Sequence, residues 1–266
     1  QSDYEYSFLS KMGLVKEKTD LEVIQSGDEK ELLKRIEKGQ LNAKTSKING
    51  ESLLYWAVRY KKKRLINRLL KKGALIEESV KDRYADLLDF AIDQQMPDVV
   101  ERMIQFGSKT SGKLLRAVRT GNLKTVQVLL KEGRDQYDVE IEALIVALQK
   151  KNMPIVKELI SKGVDVNRPD SNGKTPLIAS ILAGSLWQVK YLMKKGADVF
   201  YKDKEGIDAF NHAMRQGFFE IAMFLKKEVL KHCKERQKDK KNGQVLSFIL
   251  RKNVPFILHQ ENEKER

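Results

Sequence analysis

A pattern of roughly thirty residues returns along most of this chain, and it restricts the fold more than any other feature. Its clearest copy begins at Asn172-Gly173-Lys174-Thr175-Pro176-Leu177, passes Gly184 and closes at Gly196-Ala197-Asp198-Val199. Aligning the leucine of Thr-Pro-Leu finds Leu54, Leu88, Leu114, Leu144, Leu177, Phe210 and, more weakly, Val245, separated by 34, 26, 30, 33, 33 and 35 residues. A second series, Gly39, Gly73, Gly107, Gly133, Gly163 and Gly196, closes apolar stretches such as Leu69-Leu70-Lys71-Lys72-Gly73. Glycine belongs there because a helix C-terminus calls for a left-handed residue. A unit this short cannot bury its own apolar face, so neighbouring units must stack and share one core.

Between the two series the residues predict two short antiparallel helices per repeat. The first carries small residues where repeats must approach closely, as in Ala57-Val58, Ala91-Ile92, Ala117-Val118, Ala147-Leu148 and Ala213-Met214. The second carries an apolar face at helical spacing, as in Val126, Leu129 and Leu130, or Val189, Leu192 and Met193. The polar segment after each closing glycine, such as Asp165 to Gly173, reads as a turn.

These residues resemble the ankyrin repeat family from about Thr19 to Lys227, with a degenerate continuation to about Leu258. The strongest matches are Lys174-Thr175-Pro176-Leu177 and Gly196-Ala197-Asp198-Val199. The resemblance implies an all-α solenoid of about seven helix-turn-helix repeats with hairpin fingers, meaning the turns that join one repeat to the next, and a degenerate C-terminal cap. The histidine usual after Pro-Leu is replaced by Tyr55, Asp89, Leu115, Ile145, Ile178 and Asn211. The two short steps predict reduced fingers around Ser108 to Gly112 and Arg134 to Val139. The chain then divides into an N-terminal extension (1–18), repeats (19–227), a basic linker or helix (228–242), and a worn capping repeat with its tail (243–266).

Catalysis finds little to work with. His212 sits beside the small Ala213 of a first helix, His232 and Cys233 are sequence neighbours whose side chains diverge on a helix, and His259 lies near the C-terminus. No Cys/His spacing matches zinc and no phosphate loop is present, so no enzyme, cofactor or metal site is expected. A single cysteine leaves no internal disulfide framework and suits a reducing compartment. No apolar run reaches the roughly 20 residues needed to span a bilayer. The expectation is an intracellular, cytoplasmic protein, monomeric in itself, with the nucleus as a further location.

What remains is recognition. The resemblance implies that a partner protein is held on the concave face built by fingers and first helices, at positions following the small pair of each first helix. In this sequence they are Arg59-Tyr60, Asp93-Gln94, Arg119-Thr120, Gln149-Lys150, Leu182-Ala183 and Arg215-Gln216. Trp, Tyr and Arg dominate interface energetics, which adds Phe200 and Tyr201, standing where the finger usually carries Asn-Ala, and Trp187, at an outer-helix position usually charged. Trp56 is expected in the core, and Phe218-Phe219 against the C-terminal segment. Asn167, spaced after Leu159 as in ankyrin sites hydroxylated by an oxygen-sensing dioxygenase, is read as family consensus.

The net charge of +14 supports a second reading from a different class. Residues 226–241 carry Lys226, Lys227, Lys231, Lys234, Arg236, Lys238, Lys240 and Lys241 against Glu228, Glu235 and Asp239, a composition suited to nucleic acid or an acidic membrane surface. The stretch lacks the interleaved aromatics that stack on bases. A third reading, a bacterial effector acting in a host cell, rests on the occurrence of divergent, lysine-rich repeats in such proteins.

Overall fold

A computed structural model describes residues 12–13, 18–77, 80, 84–132 and 137–238. Within them the chain is a succession of fourteen helices joined by turns. The sequence supplies start and stop signals for several of them. Ser52, Asp86, Thr175 and Asp208 accept the backbone N–H three residues on and so cap the first helices, satisfying a donor that the helix leaves open. Thr175-Pro176 adds a proline at the first helical position, where no N–H is required.

Two compact units divide the chain: Gln1–Ala147 with Lys157–Lys162, and Leu148–Val156 with Gly163–Arg266. In the first, helices α1 (Asp20–Ser26) and α2 (Glu29–Glu37) form a pair, followed by the hairpin β1 (Lys47–Ile48) and β2 (Glu51–Ser52). The hairpin turns on Asn49-Gly50, both with positive φ, the geometry that suits a two-residue connection. Then come the pairs α3 (Leu53–Arg59) with α4 (Lys63–Lys71), α5 (Leu87–Asp93) with α6 (Pro97–Gln105), and α7 (Lys113–Thr120) with α8 (Leu123–Glu132). First helices pack on first helices, α1 on α3 and α5 on α7, and second on second, α4 on α6 and α6 on α8. Helices α9 (Tyr137–Gln149) and α10 (Met153–Ser161) follow. In the second unit α11 (Pro176–Leu182) pairs with α12 (Leu186–Lys194), and α13 (Ala209–Arg215) with α14 (Phe219–Lys238); α11 packs on α13 and α12 on α14.

The small residues of the first helices are where close approach demands them. Ala57, Ala91, Ala117, Ala147 and Ala213 are completely buried. Leu65, Leu69, Leu129, Leu159, Leu192 and Leu225 bury the matching stripe of the second helices. At Gly73 and Gly196 the second helix ends in paired hydrogen bonds, Gly73 N–H to the Leu70 carbonyl with Ala74 N–H to Leu69, and Gly196 N–H to Met193 with Ala197 N–H to Leu192. Both glycines hold positive φ, as this C-terminal motif requires. Gly133 lies outside the described residues.

A further left-handed series separates the two helices of each pair: Gly27, Lys61, Gln95, Gly121, Lys151, Gly184 and Gly217 all have positive φ. Lys61, Gln95 and Lys151 hold φ of 54°, 55° and 55°, a conformation that places Cβ against the following carbonyl. Replacing Lys61 with glycine is therefore expected to raise stability by about 0.5–1 kcal/mol, and Gly121→Ala to lower it by a similar amount. Urea denaturation of the two variants measures both.

The last second helix differs from the others. The sequence leaves residues 228–242 as linker or helix, and in the structure α14 continues without a break to Lys238.

Candidate functional site: first-helix ends and the cleft between α5 and α7

The positions expected to face a partner lie at the C-terminal ends of first helices, one turn beyond the buried small residue. In the first unit Arg59 is exposed, and Tyr60 is half-buried. The Tyr60 ring lies parallel to Trp56, 5.9 Å between centroids and 15° between planes, and its hydroxyl accepts a hydrogen bond from Gln25 Nε2 at 2.8 Å. Trp56 is in the core as expected, 8% exposed, with its indole N–H donating to the Ile48 carbonyl of the hairpin. The stack thus ties a tyrosine at a first-helix end to the hairpin through the tryptophan beneath it.

Asp93 and Gln94 end α5, and Arg119 and Thr120 end α7. Between these helices a cleft of about 590 Å³ opens, lined by Asp93, Arg119 and Thr120 together with Asp89, Lys113 and Arg116. Its floor is an ion network. Lys113 Nζ lies 2.7 Å from Asp86 and 3.0 Å from Asp89; Arg116 lies 3.1 Å from Asp89 and 2.9 Å from Asp93. The Arg116 guanidinium also faces the Tyr84 ring at 5.6 Å. Burial disfavours the Lys113 charge, but its hydrogen bonds to Asp86 and Asp89 outweigh that and hold its pKa above the usual lysine value. Asp93 is therefore partly occupied by Arg116, whereas Arg119 projects at the rim, exposed.

The sequence reading did not name Lys113, Arg116 or Asp86, and named Asp89 only as a replacement for the histidine usual at its position. The available signal was Asp89 itself, a carboxylate in the position where the family carries histidine, 5% exposed in the fold. The same position is filled differently elsewhere. Tyr55 stacks on Phe90 at 5.0 Å, Ile178 is simply buried, and the Asn211 amide donates to its own cap, Asp208.

In the second unit Gln149, Lys150, Arg215 and Gln216 are exposed, and Leu182 is half-buried. Phe200 is 45% exposed in the turn that Asp198 closes by accepting its N–H. Tyr201 is half-buried and its hydroxyl donates to the Gly173 carbonyl, which ties it to the preceding finger. Trp187 is 53% exposed on α12 and lies parallel to Tyr191, 6.0 Å between centroids. It is on an outer helix, apart from the first-helix row.

Each finger of this unit is folded around one aspartate. Asp170 accepts N–H groups from Asn172 and Lys174, and Asp203 accepts them from Glu205 and Ile207. Asp203 also meets His212 Nε2 at 2.7 Å, so the histidine joins finger to first helix. Burial opposes the Asp203 charge, and the Ile207, His212 and Glu205 contacts outweigh it, holding its pKa below the usual range. A depressed carboxylate contributes stability above its unfolded pKa that is lost as pH falls through the folded value. Asp203→Asn is accordingly expected to flatten the acid limb of the pH–stability curve, measured by thermal denaturation below neutral pH. Asn167 is engaged in the same manner, donating to the Gly196 carbonyl and accepting from Asp198 N–H.

Of the basic stretch, Lys227 and Lys231 are exposed on α14. Lys234, Arg236 and Lys238 continue the same helix, and Lys240 and Lys241 lie outside the described residues, as do most of 1–18 and all of 243–266. Among the described residues no group of three or more His, Cys, Asp or Glu could hold a metal ion, and no helix is long and apolar enough to cross a membrane.

Comparison with known proteins places these elements. A family model described as ankyrin repeats, three copies, matches residues 114–203. The chain is 39% identical over 69 residues to the Arf-GAP with coiled-coil, ANK repeat and PH domain-containing protein 2 of Rattus norvegicus, a match covering 25% of this chain and 9% of that protein. The structure superposes on the human ASB11 ankyrin repeat domain with a TM-score of 0.61 at 23% identity, covering 77% of this chain and 98% of that one. The ankyrin repeat domain of Bcl-3, a member of the IkappaB protein family, gives a TM-score of 0.61 at 21% identity over 68% of this chain and 87% of that one. At these identities the two structures speak to the fold alone.

Proposed function

Because this chain belongs with the ankyrin-repeat proteins, whose repeats serve as protein–protein interaction modules, we propose that it is a non-catalytic scaffold or adaptor that binds another intracellular protein through first-helix ends and fingers. The observation that carries this reading is the contrast along the first helices. Their middles are buried, and their ends present Arg59, Arg119, Gln149, Lys150, Arg215 and Gln216 to solvent, with a cleft wide enough for a partner side chain beside Arg119. Arg119, exposed at the edge of that cleft, is of a residue type that often anchors interfaces. Gln94, Leu182 and Phe200 extend the proposed surface in their own units. Tyr60 and Tyr201 support it through their contacts with Trp56 and Gly173, and Trp187 is assigned a separate contact on the outer side.

The alternative is a basic adaptor holding nucleic acid or an acidic membrane through 226–241. It is favoured by one observation, the continuation of the helix that carries these residues to Lys238. Affinity capture from nuclease-treated and untreated lysate, at low and high salt, separates the two. A protein retained after nuclease and in high salt supports the scaffold. Capture that needs intact nucleic acid, or falls steeply with salt, overturns it in favour of the basic stretch.

A further inference from the structure

The outer faces of the second helices carry different chemistry in the two units. In the first they are laced by ion pairs from helix to helix: Lys63 on α4 reaches Asp98 on α6 at 2.6 Å, Lys131 on α8 reaches Glu101 on α6, and Arg68 on α4 reaches Glu29 on α2. In the second, Lys190, Lys194 and Lys195 are exposed along α12 and at its C-cap, and Lys227 and Lys231 along α14. Among the described residues no ion pair joins these five lysines to a carboxylate, although Glu220 is exposed on α14. Two of them meet aromatic rings instead. Lys190 Nζ lies over Phe224 at 5.6 Å, joining α12 to α14, and Lys195 Nζ lies over Tyr191 at 5.8 Å. Trp187, Tyr191 and Lys195 follow one another at one-turn spacing, as do Phe219, Met223 and Lys227. Trp187, Phe219 and Met223 are each at least 50% exposed.

We infer that this outer face of α12 and the start of α14 rests on an anionic membrane surface. Lysines without carboxylate partners are complementary to acidic headgroups, and each one near such a surface adds to the attraction. Tryptophan and tyrosine settle at headgroup level, where the ring is half in hydrocarbon and its polar edge half in water, and lysine stems lie along apolar surface while the ammonium stays in the polar layer. A helix face that alternates exposed Trp, Phe and Met with lysine is the kind that lies in the membrane interface. Nucleic acid suits the face less well, because bases stack on open ring faces. Tyr191 has Trp187 parallel to it from the turn before and Lys195 over it from the turn after, and Phe224 is covered by Lys190. The inference stands apart from the protein contact at the first-helix ends. It places lipid on α12, one helix away from the later basic residues 232–241.

Tryptophan fluorescence of the full-length chain, titrated with vesicles of phosphatidylcholine and phosphatidylserine, tests this. The chain has two tryptophans and Trp56 is buried, so the change reports Trp187. Emission is expected to move to shorter wavelength with these vesicles, to stay fixed with phosphatidylcholine alone, and to stay fixed in Trp187→Phe. Lys190→Gln/Lys194→Gln/Lys195→Gln should weaken vesicle binding by about tenfold or more, whereas Lys234→Gln/Arg236→Gln/Lys238→Gln should leave it unchanged. Emission that ignores the anionic vesicles overturns the inference. So does binding that survives the α12 variant and is lost in the later one, which would give the lipid contact to the basic stretch. A shift produced by a single-stranded oligonucleotide or by polyglutamate, and not by vesicles, would give the face to nucleic acid or to an acidic protein.

Discussion

Lys113→Ala is expected to lower the unfolding free energy by about 2–3 kcal/mol. Lys113 has a side chain only 10% exposed and neutralises Asp86 and Asp89, at 21% and 7%. Removing one partner of a buried ion network strands the opposite charge, which costs about 3–5 kcal/mol when nothing else compensates. Arg116 still reaches Asp89, so the cost falls to the low end of that range or somewhat below it. The loss should also depend on pH with a definite sign. The folded Lys113 pKa is raised, so its contribution is fully present below the unfolded lysine value and disappears as pH rises through the folded one. The wild type should therefore lose an increment of stability at strongly alkaline pH that Lys113→Ala lacks. Chemical denaturation across that range measures it, and a loss below about 1 kcal/mol at neutral pH would mean that the network behaves as surface pairs do.

The network also shows why part of the site was illegible in the sequence. The repeat itself was open to reading, because glycines at helix ends, Ser, Asp or Thr at helix starts and alanines at close approaches are local signals tied to local geometry. Gly73, Thr175 and Ala117 each sit where those rules place them. Pairing between repeats follows no such local signal. Lys113 and Asp86 are 27 residues apart, and only the stacking of α7 on α5 makes them neighbours. The left-handed turns at Lys61, Gln95 and Lys151 escaped for the opposite reason: the backbone takes there the turn that Gly27, Gly121, Gly184 and Gly217 mark in other pairs, with no glycine to advertise it. Asn49-Gly50 was a legible hairpin signal that the repeat pattern overshadowed. Tyr201 and Phe200 are adjacent and equally aromatic, yet one hydroxyl bond to Gly173 half-buries the first while the second stays open. A sequence pattern does not carry that distinction.

The second large effect concerns binding. Arg119 and Arg215 are exposed at the ends of α7 and α13, so reversing their charge leaves the fold's apolar columns intact. Interface arginines seated beside a pocket contribute about 2 kcal/mol or more when removed, a thirtyfold change in affinity. Arg119→Glu, at the residue that lines the cleft, should weaken a bound partner protein by about that factor, and Arg215→Glu, made separately because it belongs to the other unit, should weaken it less. Trp187→Ala, on the outer side of α12, should change affinity independently of either.

The most direct test is the dissociation constant of the captured partner protein for wild type, for Arg119→Glu, and for a chain in which Lys227, Lys231 and Lys234 are changed to Gln. The account predicts a loss of about thirtyfold for Arg119→Glu and little change for the lysine variant. Unchanged affinity in Arg119→Glu, with binding abolished in the lysine variant, would contradict it and move the functional surface to α14.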